Sequence, residues 1–305
     1  MASTTVRLWL DRHHRPPAVR RRRLVLALSA LLAMALGAGV TLAFTQRGPE
    51  STVSRLSGPA QSPNALQMAA AVRHQAAVWI GQQVGSSILV GCDPEMCDEL
   101  QNSAFPAGQL NELQPSAPDP LGSVLVVATP VIRNQFGARL ASVYAPLVIA
   151  SFGSGAERVD IRYVTPENSA AAFESQLAAD RRDRIAAGEQ LLTNQRIQAS
   201  AAVRQALLAG QVDPRLLITL STLAHQMPLH LVAFDDPSPG ASPDVPLRGA
   251  ELGAAPAGLA AMVAFLNAQQ TPYRPAMASI TQIAKGQSVV NVRYDAPSPM
   301  GLGGS

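Results

Sequence analysis

The chain alternates between apolar runs with no period, stretches with no apolar pattern, and segments that repeat every two or every 3.6 residues. From Leu24 to Thr45 the sequence LVLALSALLAMALGAGVTLAFT carries no charge over 22 residues. As a helix this run rises about 33 Å, enough for the ~30 Å hydrocarbon core of a bilayer. Gln46 to Pro63 has no apolar period and is rich in Gly, Pro, Ser and Thr, so it reads as a tether. Asn64 to Val84 then places Leu66, Met68, Ala69, Val72, Ala76, Trp79 and Ile80 near the 3.6-residue spacing of an amphipathic helix. Short apolar runs follow at Ser86–Gly91, Ser123–Thr129 and Leu147–Gly153, and they predict strands. SVLVVAT has the continuous character of a strand covered on both faces. Glu157 to Val164 instead alternates Val159, Ile161 and Tyr163 with Asp160 and Arg162, which predicts a strand with one exposed face. Helices are expected at Pro94–Asn102 and Val131–Val143.

The rest of the chain begins with a long expected helix, Pro166–Gly188, followed by helices at Ser200–Ala209, Asp213–Gln226 and Ala257–Gln269. LHLVAF (229–234) predicts a strand and residues 235–246 a turn-rich loop. Residues 275–295 read as strand, Ala-Lys-Gly-Gln turn and strand, a hairpin. No internal repeat is visible. The expected class is α/β: a single N-terminal transmembrane helix, then a layered α/β extracytoplasmic domain with a C-terminal β-hairpin. The divisions are a basic cytoplasmic tail (1–23), the transmembrane helix (24–45), a flexible linker (46–63), an α/β subdomain (64–165), a second α/β subdomain (166–296) and a disordered tail (297–305).

Charge gives the orientation. Residues 1–47 carry eight arginines against Asp11, a net +7, while the rest of the 305-residue chain is net −4. Four arginines directly precede the apolar run and only Arg47 directly follows it, so the positive-inside rule puts the N-terminus in the cytoplasm and the remainder outside. A cleaved signal peptide is the other reading; the run exceeds the usual 7–15-residue core and lacks a clean small-x-small site, which favours an anchor. The pI near 9.2 belongs to the tail, and the folded part has no basic stripe, so nucleic acid is not an expected partner. Hydrophobic residues make up 47%, too many for wholesale disorder, and a single long apolar run excludes a multi-pass protein.

Candidate chemistry is sparse. Cys92 and Cys97 are the only cysteines; outside the membrane such a pair usually bridges, and a turn from strand into helix brings Cα atoms close enough. With only His74, His225 and His230 exported, no metal site is expected, and no motif calls for a cofactor. Asp93-Pro94 and Asp213-Pro214 each read as an N-cap carboxylate before a first-turn proline. Asp93 also follows a strand, where α/β folds place ligands. Asp235 and Asp236 follow LHLVAF: as paired carboxylates they suit a cation or acid–base work, and as part of DDPSPG they suit a polar turn. If the strands before Asp93 and Asp235 share one parallel sheet, all three acids face one edge. SFGSGAER is followed by a strand rather than a helix, so it reads as a tight turn, not a phosphate cradle.

AVWIGQQV, ILVGCDPEMCDEL, SVLVVATPVIRNQF and VIASFGSGAERVDIRYV, within residues 77–164, resemble the extracytoplasmic C-terminal domains of actinobacterial polyprenyl-phosphate-dependent glycosyltransferases. The exported part as a whole resembles membrane-anchored actinobacterial proteins. The glycosyltransferase likeness implies the α/β fold, the outside location and a link to cell-envelope polysaccharide assembly. The chain departs from that family in having one span and no membrane-proximal catalytic loop, so no catalytic residue carries over. The expected function is a membrane-tethered accessory or binding domain, held in the lipid bilayer by residues 24–45, with an envelope glycosyltransferase or polysaccharide as partner. The alternative is an envelope hydrolase or transferase built on Asp93, Asp235 and Asp236.

Overall fold

A computed structural model describes residues 63–165, 170–283 and 286–302. The expected basic tail, membrane span and nearly all of the tether lie outside these residues, as do positions 166–169 of the expected long helix and residues 303–305. Among the described residues no helix is long and apolar enough to cross a membrane.

The first half opens with α1 (Pro63–Gln83). Its C-terminal turns bury Ala76, Ala77, Trp79 and Ile80, while Leu66 and Met68 near its start stay exposed. Strand β1 (Val90–Cys92) leads through Asp93 into α2 (Pro94–Asn102), and β2 (Leu110–Glu112), β3 (Leu125–Ala128), α3 (Pro130–Phe136), β4 (Leu147–Phe152) and β5 (Val159–Tyr163) follow. The five strands form one sheet in the order β2-β1-β3-β5-β4. Strand β1 runs parallel to β2 and β3, and β5 runs antiparallel to β3 and β4. One face packs Val127 and Ile161 against Trp79, Met96 and Leu100 of α1 and α2. The other packs Val126 and Ala128 against Ile132 and Phe136 of α3 and Tyr144 beyond it. Every residue of β3 is buried, as its unbroken apolar run predicts.

That second layer overturns the expected exposed face of residues 157–164. Asp160 and Arg162 are buried along with their apolar neighbours. Burial is tolerated because both are paired: Arg162 donates to Asp160 (3.4 Å) and to the carbonyls of Ala145 (2.7 Å) and Pro146 (3.1 Å). Ser151 and Arg158 complete the shell of Asp160 at 2.7 and 3.0 Å. The helix expected at Val131–Val143 is also interrupted. Gly137 takes φ +55°, a conformation that favours glycine, and the chain re-forms as a single wide turn at Leu140–Tyr144.

The second half runs α4 (Ala170–Leu192), β6 (Ile197–Ala199), α5 (Ala201–Leu208), α6 (Pro214–Gln226), β7 (Leu229–Asp235), β8 (Gly249–Gly253), α7 (Pro256–Asn267), β9 (Met277–Gln282) and β10 (Ser288–Arg293). Its sheet has the order β6-β7-β8-β10-β9, with β6 parallel to β7 and the other neighbours antiparallel. The C-terminal hairpin is β9 and β10. Leu231, Ala250, Leu252, Val290 and Val292 form one apolar face, packed by Leu207, Leu220, Leu223, Met262 and Leu266 of the helices. Strands β2, β6 and β8 have no counterpart in the expected elements; two are three residues long and β8 is GAELG, too short or too glycine-rich to show a period.

The halves share a unit that the sequence does not reveal. In each, a strand leads through a proline-opened helix to a hairpin whose second strand inserts between the first two. The results are β3-β5-β4 and β8-β10-β9.

Candidate functional site

The three acids singled out from sequence do not meet on one sheet edge. Asp93 follows β1 in the first sheet, whereas Asp235 ends β7 in the second and Asp236 follows it. The expectation of a shared edge is therefore corrected: among the described residues β7 pairs with β6 and β8, both of the second sheet. Each acid has its own setting. Asp93 is buried as the N-cap of α2, where its carboxylate accepts from the Met96 amide at 3.1 Å and from the Thr129 hydroxyl. Thr129 caps α3 in turn, accepting from Ile132 at 3.4 Å, so one hydrogen bond ties the starts of two helices that flank opposite faces of the sheet. Asp235 is exposed at the end of β7. Asp236, whose side chain is 6% exposed, holds Arg248 through both carboxylate oxygens, at 2.8 and 3.4 Å.

Cys92 and Cys97 stand at disulfide distance, with sulfurs 1.99 Å apart and Cα atoms 5.4 Å apart. They join the end of β1 to the first turns of α2.

The densest polar chemistry lies where the two halves meet, and sequence reasoning missed most of it. Arg248 is only 1% exposed. Besides Asp236 it reaches the Tyr294 carbonyl (3.1 Å) and the Ser238 hydroxyl (3.0 Å), and its guanidinium lies 6.0 Å from the Trp79 ring of α1. Trp79 donates to the Pro237 carbonyl at 3.4 Å, and the Ser151 amide on β4 donates to the Pro239 carbonyl at 2.9 Å. The DDPSPG loop is thus a clip on the first half. Gly240 takes φ +57°, and any Cβ there would lie 3.0 Å from Ser151 Cβ, so the approach demands glycine.

A second cluster surrounds Asp213, which is fully buried. It caps α6 as expected, accepting from the Arg215 amide at 2.8 Å, and it also binds the Arg215 guanidinium at 3.0 and 2.8 Å and the Ser298 hydroxyl at 2.6 Å. Arg215 continues to the Asp295 carbonyl (2.8 Å) and lies over the Tyr294 ring at 4.9 Å. The Tyr294 hydroxyl donates to the Tyr273 carbonyl at 3.0 Å and meets Thr219 Oγ1 at 2.7 Å. Burial pushes the Tyr294 phenol up to about 12 and also raises the Asp295 carboxyl.

The third cluster is Asp180–Arg184, one helical turn apart on α4 and both about 4% exposed. Arg184 reaches the Gly210 carbonyl at 2.8 Å, and Asp180 accepts from the Gly301 amide. Burial raises the Asp180 carboxyl and lowers the Arg184 guanidinium, with each partner opposing the other's shift. Residues 297–302 are therefore not the frayed end their composition suggests: Ser298 and Gly301 sit on buried acids, and Leu302 packs on the second core.

Between these clusters lies an apolar slot, lined by Leu147, Ile149, Tyr163, Phe173, Pro297 and Met300. Only about 30 Å³ of it admits a water-sized body, close to one water's share of liquid volume. Among the described residues, no group of three or more His, Cys, Asp or Glu side chains is placed to hold a metal ion. No protein-family model matches the chain, and neither the curated proteins nor the solved structures compared with it give a match.

The seam residues had a weak sequence signal. Asp180 and Arg184 stand at i,i+4, and Asp213 and Arg215 flank one proline. Arg248 had none, because its partner Asp236 lies across a twelve-residue excursion.

Proposed function

We propose that the folded part is an extracytoplasmic accessory module, tethered to the membrane through residues 24–45, which binds a partner in cell-envelope polysaccharide assembly rather than making or breaking bonds. The observation that carries this reading is the commitment of the buried acids. Asp93 is used by two helix starts, and Asp160, Asp180, Asp213 and Asp236 by guanidinium groups. A general acid or base needs a carboxyl that can reach substrate and trade its proton near the working pH. A carboxylate locked to an internal arginine is instead a fastener. The fasteners brace each half, and the DDPSPG loop joins the two through the Pro237 and Pro239 carbonyls, an arrangement that suits a surface that docks. The link to polysaccharide rests on the resemblance of residues 77–164 alone.

The test is made in the producing cell. Asp235→Asn removes the exposed acid, and Asp93→Asn keeps a capping side chain. Both variants are expected to accumulate normally and to leave envelope polysaccharide unchanged, whereas deletion of the whole chain lowers it. Loss of polymer in a folded Asp235→Asn protein overturns the reading and favours the hydrolase or transferase alternative.

A further inference from the structure

The two sheets present four edges among the described residues, and three are protected. Strands β2 and β6 are three residues long; β2 ends in Glu112 and β6 is preceded by Arg196. Strand β4 is bulged between Val148 and Ala150 and is covered at Ser151 by Pro239. Short length, charge, a bulge and a covering loop are the usual guards against edge pairing. Strand β9 has none of them. It is six residues long, MASITQ, regular in register against β10 and uncharged. Ile280 lies on the same face as Val290 of the core, yet is 49% exposed.

The surroundings match. Between Glu251 and Lys285 the only charged residue is Arg274. Helix α7, which packs on β9 and β10, carries no charge and exposes Ala257, Ala260, Ala261 and Ala264. A strand facing its own copy across a two-fold axis must not set like charges opposite one another. This edge meets that condition, and so does the helix above it.

The hairpin fixes which backbone groups are free. The Ile283 amide donates to the Gln287 carbonyl at 2.9 Å, closing the turn. Hydrogen-bonded and non-hydrogen-bonded pairs alternate along an antiparallel ladder, so Met277, Ser279 and Thr281 point their amides and carbonyls at β10. Ala278, Ile280 and Gln282 point theirs outward. Among registers about a two-fold axis perpendicular to the sheet, one brings all three outward-facing residues into pairs, with Ile280 opposite Ile280 of the second copy and Ala278 opposite its Gln282. That register makes about six interstrand hydrogen bonds and joins the two Ile280 side chains on the α7 side. Centring the pairing on Ser279 instead pairs only Ala278 with Ile280 within the strand, leaves Gln282 beyond the start of the partner strand and makes about four bonds.

We propose that the chain forms a two-fold homodimer through antiparallel β9–β9 pairing centred on Ile280, creating a continuous ten-stranded sheet. The dimer does not depend on the accessory role proposed above.

The test uses the full chain, purified in detergent and also kept in its native membrane. Because Cys92 and Cys97 are at bonding distance, a single added cysteine reports on the new contact. Directly opposed residues of a hydrogen-bonded pair have Cα atoms about 5.5 Å apart, within disulfide reach. Ile280→Cys is expected to give an oxidised dimer on a non-reducing gel, while Ser279→Cys, displaced from its own copy and facing the other side, gives little. Native mass measurement is expected to show the wild-type dimer, and Ile280→Lys should halve the mass without lowering the thermal midpoint. A wild-type monomer, or equal crosslinking at positions 279 and 280, overturns the proposal. A mass equal to one copy plus a different protein also overturns it, since the edge then serves another partner. Because the readout is mass and crosslinking, these outcomes are separate from the polysaccharide phenotype.

Discussion

The first sheet is buried on both faces and the second mainly on one, although each carries the same strand–helix–strand–strand unit. The difference lies in what covers them. In the first half α1 and α2 lie on one face and α3 on the other, so β5 has nowhere to put Asp160 and Arg162 except inside, and each must find a partner there. In the second half the helices share one face, and Glu251, Asn291 and Arg293 remain partly exposed on the other. Two-sided burial forces polar residues of the strands themselves into an internal pair, whereas in the second half the buried Asp–Arg pairs lie outside the strands. Where the halves meet, closure relies on backbone carbonyls that accept from Trp79 and Ser151, on the Arg248 guanidinium over the Trp79 ring and on the stacked Tyr163–Phe173 pair.

The largest test of that contrast is to break a buried pair of the second half. Asp213→Ala strands Arg215 in a buried site and frees Ser298, and the expected loss is about 3–5 kcal/mol in urea-induced unfolding. A loss under about 1 kcal/mol would show that apolar packing, not the buried charge pair, holds the second half together.

A second probe is pH. The Tyr294 phenol is raised to about 12, so the folded state holds this proton more tightly than the unfolded chain, whose value is near 10. Its contribution is fully present below pH 10 and is lost as pH rises toward 12. The expected decline is about 2–3 kcal/mol, at 1.36 kcal/mol per unit. Thermal melts from pH 9 to 12 follow it. Tyr294→Phe should flatten the decline; an unchanged slope would place the alkaline transition elsewhere.

In the first half the corresponding fastener is covalent. Reducing the Cys92–Cys97 bridge, or Cys97→Ser, is expected to cost about 2 kcal/mol, the low end for so short a loop, and to leave the domain folded. Loss of the near-ultraviolet circular dichroism of the whole protein would mean that the first sheet depends on the bridge.

The smallest effect belongs to the surface. His74 and Glu99 are 2.7 Å apart between α1 and α2, but the His74 side chain is 64% exposed. His74→Ala should shift stability by under about 1 kcal/mol. A larger change would mean that α1 docks on α2 through this pair rather than through Trp79, Ile80 and Met96.

Much of the local structure was legible in the amino-acid order. Helix α1 follows from a 3.6-residue stripe, and α2 and α6 from an aspartate before a proline; a cap is decided by the few atoms around it. The buried strand β3 was readable because four adjacent apolar residues leave no polar face. Nearness in sequence also brought Cys92 and Cys97 together, as four intervening residues restrict where the two sulfurs can go.

Tertiary structure alone decided the rest. That Asp160 and Arg162 face inward depends on α3 covering their side of the sheet, and no local pattern encodes a cover supplied from elsewhere. Asp93 was separated from Asp235 and Asp236 because β1 and β7 found different neighbours, a choice made by packing of whole faces. Arg248 became the tightest knot of the seam through Asp236, Trp79 and the Tyr294 carbonyl, three partners scattered over more than two hundred residues. Periodicity, caps and turn residues act over one or two turns of chain. Burial is a property of everything else that comes to lie on top, and it is burial that turned these polar side chains from surface groups into the fasteners of the fold.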